Sequence, residues 1–254
     1  MRKATLLFLG IIISISGLVA CSSSAASDTG VFSDLVINIP WADGEQLSYR
    51  LDDVAGKTVG KVVFSIERDG DVYLLGRNYT RDNARVDSLV VVDRKTLAPI
   101  ASSQILSSAS AGTTELDCNY EQNRVTVIIP VGYATEESEE MEIKAGTAVI
   151  AVPDVIYDND EIVFLGRTLP LWPGYSVEFP SFVAAQLSTP VVSLSVMGQE
   201  AVTTPAGTFE CYKVRVGGIG EDSIQSDVWL WYGVAGTHPL VKYLSDSGSY
   251  ILIG

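Results

Sequence analysis

Histidine is almost missing from this chain of 254 residues: His238 is the only one. A serine or cysteine nucleophile is ordinarily served by an oriented histidine. His238 stands directly before Pro239, where a strand-entry turn explains it better than a catalytic role. G-x-S-x-G elbows, phosphate-binding P-loops and H-E-x-x-H pairs do not occur. There are only three cysteines, and none has zinc spacing with the histidine, so no metal site and no cofactor are expected. Positive charge is short as well, with 17 Lys and Arg against 31 Asp and Glu. A surface of that sign repels nucleic acid and anionic headgroups, so no nucleic-acid partner is expected. Two carboxylates can hydrolyse a glycoside without any histidine. The nearest acidic set, Asp154, Asp158, Asp160 and Glu161, is explained more simply by helix capping.

Long apolar runs are confined to the N-terminus, MRKATLLFLGIIISISGLVAC. Two basic residues, an apolar stretch from Leu6 to Leu18 and a small-residue end make a secretory signal, too short for an ordinary membrane-spanning helix. Leu18-Val19-Ala20-Cys21 resembles the lipobox of bacterial lipoproteins. The resemblance implies cleavage before Cys21, a lipidated Cys21 and a membrane as partner through that anchor. Residues 1–20 are then a signal peptide, 21–34 a lipidated cysteine with a flexible Ser-rich tether, and 35–254 a single β domain. Ser22, rather than Asp, after the cysteine leans towards an outer membrane where the cell has one. In either case the domain is extracytoplasmic and lipid-anchored. Removing Arg2 and Lys3 makes the remaining chain more acidic still. The densest acidic run, residues 136–142, lacks the carbonyl and glycine spacing of a calcium loop and reads as a solvated loop.

The rest is β-patterned. Val62, Phe64 and Ile66 alternate with polar or smaller residues, Asp69-Gly70-Asp71 turns, and Tyr73, Leu75 and Tyr79 come back. Hairpins are expected around 121–123 and at Pro205–Gly207, and a strand with two apolar faces at 228–232. One segment departs from this. Asp158 to Thr168 opens on capping acids and stops before Pro170, which predicts a short helix. The fold class is all-β, mainly antiparallel, as a curved sheet or half-open barrel with one short helix near 158–168.

Gly44-Glu45-Gln46-Leu47-Ser48-Tyr49 is similar to the G-E-x-L-x-Y opening of an uncharacterised family, a domain of unknown function in exported bacterial proteins. Phe164 to Leu171, Pro205-Ala206-Gly207-Thr208-Phe209, Trp231-Tyr232 and His238 to Lys242 resemble its later motifs. The resemblance implies a curved antiparallel sheet, similar in style to the half-barrels of lipoprotein carriers, and brings no catalytic residue.

Two site readings stay open. Cys118 and Cys211 form either a disulfide or two separate thiols. Trp172, Tyr175, Phe179, Trp229 and Trp231 are either core packing or an apolar pocket beneath the helix. Lys213 and Arg215 read as surface, and the Asn78-Tyr79-Thr80 sequon as chance. The expectation is a non-catalytic, lipid-anchored binding or carrier module for an apolar or amphipathic envelope ligand such as a lipid. An envelope scaffolding protein, with an unknown protein partner, is the alternative, and a carboxylate hydrolase stands behind both.

Overall fold

The computed structural model describes residues 35–36, 38–109, 112–129, 146–219 and 227–254. The expected signal, Cys21, the tether and the acidic run 136–142 lie outside the described residues. Among the described residues fifteen strands make one sheet. The first eight are β1 (Gln46–Asp52), β2 (Thr58–Asp69), β3 (Val72–Arg81), β4 (Ala84–Asp93), β5 (Pro99–Ser108), β6 (Gly112–Glu121), β7 (Arg124–Ile129) and β8 (Gly146–Ala151). They are followed by β9 (Tyr157–Asp158), β10 (Ser176–Phe182), β11 (Val191–Thr204), β12 (Gly207–Ile219), β13 (Val228–Gly233), β14 (Leu240–Ser245) and β15 (Gly248–Leu252).

The strands run outward from β1 to β8 as an antiparallel meander. The chain then crosses to the opposite edge, enters β9, and works back to β15, which pairs antiparallel with β1. Only β9 and β10 are parallel. Local chemistry explains the hairpins. Gly70, at φ 57°, closes β2 onto β3, and Asn123, at φ 62°, closes β6 onto β7. Pro205-Ala206 joins β11 to β12, with Thr204 paired to Gly207.

The crossing from β8 to β9 uses only residues 152–156. Six chain steps span at most about 23 Å. A flat sheet of this many strands would hold its edges about 65 Å apart. The sheet must therefore curl, although no strand pairing joins β8 to β9. It curls as a scroll, with the β9 edge rolled inside. Tyr120 of β6 donates to Asp158 of β9 at 2.5 Å and packs edge-on to Phe182 of β10. Leu116, Cys118, Val125 and Val127 of β6 and β7 share a buried cluster with Val152, Ile156 and Phe182.

Alternation places Val62, Phe64, Ile66, Leu75, Val90 and Leu230 on the inner side, where they join the main core. The predicted helix lies here. Asn159–Glu161 is a 3-10 turn, α1 is Ile162–Leu165, and Gly166–Thr168 is a second 3-10 turn. Ile162, Phe164, Leu165, Leu169 and Leu171 are buried in that core.

Candidate functional site

The insert 159–168 is held at both ends by polar contacts, and these are the most unusual chemistry in the interior. At its start Asp158 is the N-cap. Its Oδ1 accepts from the Asp160 amide at 2.8 Å, and Glu161 Oε1 accepts from the Asp158 amide at 2.8 Å. The two bonds make a reciprocal capping box, where the sequence had suggested capping acids. Asp160 faces β3 and β5: Arg77 Nη2 lies 2.9 Å from its Oδ1, and Gln104 donates to Oδ2 at 3.2 Å. Arg77 also donates to Ser88.

Burial pushes the Asp158 carboxyl up to about 6, with Asp160 adding repulsion and hydrogen bonds from Ser102 and Tyr120 opposing it. Burial also raises Glu161 well above the usual carboxylate range. Glu161 is 1% exposed, and its Oε2 has no hydrogen-bond partner. A buried carboxyl in that setting keeps its proton. The shifts follow from sealing a cap inside a core. Among the described residues no three metal-ligating side chains come together.

At its far end the insert is clasped through Arg167, which is 3% exposed. Its Nη1 lies 2.6 Å from Glu45 Oε1, Nη2 lies 3.1 Å from Oε2, and Nη2 also donates to the Thr237 carbonyl at 2.7 Å. The guanidinium sits 5.4 Å from the ring centre of Trp41. Gly166 is required beside it, because a Cβ there would lie 2.4 Å from Tyr232 Oη. That same hydroxyl donates to the Val163 carbonyl, and Tyr49 Oη donates to the Leu240 carbonyl, both at 2.8 Å. Phe164 packs edge-on to Phe64 at 5.5 Å.

The Glu45–Arg167 pair went unread in the sequence, though both residues stand in quoted motifs. The signal was a lone arginine in the apolar run FLGRTLPL, which must find a carboxylate if the run is buried. The motifs around Gly44, Phe164, Trp231 and His238 thus meet at one place, the clasp. His238 belongs to its rim: its Nδ1 lies 2.8 Å from the Gly233 carbonyl.

Of the five aromatics read as core packing or an apolar pocket, Phe179 and Trp231 are buried in the main core, Tyr175 and Trp229 are partly buried against it, and Trp172 is exposed. Phe179 is fully buried on the inner side against Tyr157. Trp172, 56% exposed, packs edge-on to Tyr175 before β10. Trp229 and Trp231 alternate with the inner Leu230 and Tyr232, yet Trp231 is only 4% exposed and belongs to the main core cluster, with Trp229 partly buried against it. Lys213 covers both tryptophans at 5.0 and 5.3 Å, Lys242 covers Trp231, and the Trp231 indole donates to Glu200 at 2.5 Å. Arg215 pairs with Asp227 at 2.9 Å. The disulfide also gives way to its alternative. Cys118 and Cys211 are free, buried thiols in different core clusters, nine positions apart in strand order. Burial pushes them up to about 12 and about 11.

A family model, described as a protein of unknown function, DUF3108, matches residues 47–247. The chain belongs to the DUF3108 family. The match runs from β1 to β14 and takes in the whole insert; β15 lies beyond it. No curated protein is significantly similar to the chain. Among solved structures, a β-barrel-like protein of the family DUF1849 from Brucella abortus is 10% identical with a TM-score of 0.47, over 82% of this chain and 94% of that one. A protein from Bacteroides fragilis assigned as exported, with a YmcC-like fold, is 16% identical with a TM-score of 0.32, over 85% and 96%. One from Parabacteroides distasonis assigned as a lipoprotein is 12% identical with a TM-score of 0.33, over 85% and 96%. These likenesses are distant.

Proposed function

We propose that the protein is a non-catalytic interaction module, extracytoplasmic and held at a membrane by a lipid on Cys21, whose binding is done by its surface. The observation that carries this is the filled scroll. The inner face that a carrier would offer to an apolar ligand is occupied by Ile162, Phe164, Leu165, Leu169 and Leu171 of the chain's own insert. The anchor rests on the residues Leu18 to Cys21. The outer face of β1–β5 supports the reading. It holds a depression of about 530 Å³ floored by Ser65 and Gly76 beside Val63, with Leu89 and Ile105 each 38% exposed. Crosslinking the full chain in cells tests the reading. One recurrent protein species is expected, and its absence would count against it.

A second reading, a carrier of an apolar or amphipathic envelope ligand such as a lipid, is favoured by the nature of the insert. It presents to the sheet the same kind of apolar surface an acyl chain would, and it is fastened by charged groups at both ends. Ligand would then have to displace it. Organic extraction of the purified protein, followed by mass spectrometry, separates the two: bound lipid in stoichiometric amount supports the carrier, and none supports the interaction module.

A further inference from the structure

An aromatic ledge stands where the insert leaves the core. Leu169 and Leu171 are buried, and the chain then turns outward at Trp172-Pro173-Gly174-Tyr175. The Tyr175 amide donates to the Trp172 carbonyl at 3.1 Å, and Gly174 has φ 91°. Proline followed by a positive-φ glycine is the type II pattern, which fixes the turn. Two more bonds tie it to β11: the Gly174 amide donates to the Val196 carbonyl, and the Val196 amide to the Tyr175 carbonyl, both at 2.8 Å. On this rigid support Trp172 is left 56% exposed, edge-on to Tyr175 at 5.3 Å. Met197, next to Val196, is 55% exposed. From Thr168 to Val177 no residue is charged. Tryptophan and tyrosine carry an apolar body with a polar edge, the chemistry that settles at a membrane–water interface.

Position selects the partner. Trp172 lies five residues beyond Arg167, and Trp41 packs on the Arg167 guanidinium. Leu35 and Trp41 are buried in the same core as Leu169 and Leu171. The chain therefore enters the domain by the clasp, and the ledge leaves from it. Leu35 follows Cys21 by 14 positions, and a flexible coil of that length has an r.m.s. span of about 20 Å. A lipid on Cys21 would hold the clasp end close to the bilayer. Val54, in the turn at the far end of β1, is about a strand length, or 23 Å, farther away. We propose that Trp172, Tyr175 and Met197 form a membrane-contact ledge whose occupant is the interfacial zone of the bilayer that holds the Cys21 lipid. The headgroups it fits are neutral, because a chain of net charge −14 is repelled by anionic ones. The inference rests on the anchor of the proposed function and adds to it a fixed orientation, with the clasp end towards the membrane.

The test uses the full chain, purified with its lipid, in phosphatidylcholine vesicles with or without bromine on the acyl chains near the headgroups. Bromine quenches a tryptophan only at contact. Of the four tryptophans, Trp41 and Trp231 are buried and Trp229 is partly buried. Wild-type emission should fall in the brominated vesicles, and W172F should lose that fall while its melting temperature stays unchanged. V54W added to the W172F chain places a tryptophan at a site 75% exposed at the opposite end and should not restore it. A chain that does not float with the vesicles overturns the anchor and this proposal together. A chain that floats while Trp172 is indifferent to bromine overturns the ledge alone; if that Trp172 is also shielded from aqueous acrylamide, a protein or a second copy covers it instead. Quenching of V54W as strong as that of Trp172 would overturn the orientation and the proposal with it.

Discussion

The two edges of this sheet solve one problem in opposite ways. A strand edge leaves backbone groups unpaired, and both β8 and β9 end the ladder. At β9 the chain rolls the edge inward, covers it with β5 and β6, and continues into an insert that brings three acids and an arginine with it. The cost is a set of buried polar groups, of which Glu161 Oε2 and the Nε atoms of Arg77 and Arg167 find no partner. At β8 the edge stays out in solvent and carries no charge to protect it. One edge thus takes on electrostatic cost to be closed, while the other is left open. The comparison teaches that the interior of this fold is a finished structure, which leaves binding to the surface.

Changes at the closed edge and its insert should be severe, and those at the open edge mild. The largest effect is expected for R167A, which removes the buried arginine and leaves the half-buried Glu45 unpaired; breaking a buried ion pair from one side costs about 3–5 kcal/mol, read as a fall in the urea midpoint. G166A comes next, because the added methyl meets Tyr232 Oη; overpacking of this kind costs about 1–3 kcal/mol, and Y232F in the same chain should return part of it.

D158N is smaller and specific to pH. The folded Asp158 carboxyl is raised from its ordinary 3.8 to about 6, so its contribution to stability is full below 3.8 and is lost as pH rises through about 6. Asp93, held below the usual range by the Thr96 amide, acts in the opposite sense and only at lower pH. Asparagine still caps a helix. D158N should therefore flatten the fall in melting temperature between those two values and leave the protein folded; an unchanged slope would remove Asp158 from the account. The smallest effect on stability belongs to V149K, at a β8 residue 63% exposed, within about 0.5 kcal/mol. A large loss there would mean that β8 is not a free edge.

Much of the closed part was legible because its signals are local. Capping acids from Asp158 onward, followed by an apolar run and Pro170, predicted a short helix near 158–168, where the structure has two 3-10 turns around α1. Pro205 and Gly207 predicted the β11–β12 turn, and the apolar residues of 228–232 predicted the strand β13. What was not legible depended on which strands meet. Trp229 and Phe179 are equally aromatic, but the strands around them leave one partly buried and the other fully so. Cys118 and Cys211 are both buried, and only the folded structure shows that they sit in different core clusters. The pairing of β1 with β15, and of Glu45 with Arg167, joins residues more than 100 positions apart, and no local pattern encodes that distance.

The central claim is that residues 162–168 are a permanent part of the core. Amide hydrogen exchange on the native full-length chain tests it most directly. The amide of Gly166, bonded to the carbonyls of Ile162 and Phe164, should exchange as slowly as the amides of β1 and β13, through global unfolding alone. Exchange of the insert well before those strands, at a rate indifferent to global stability, would contradict the claim and restore the carrier.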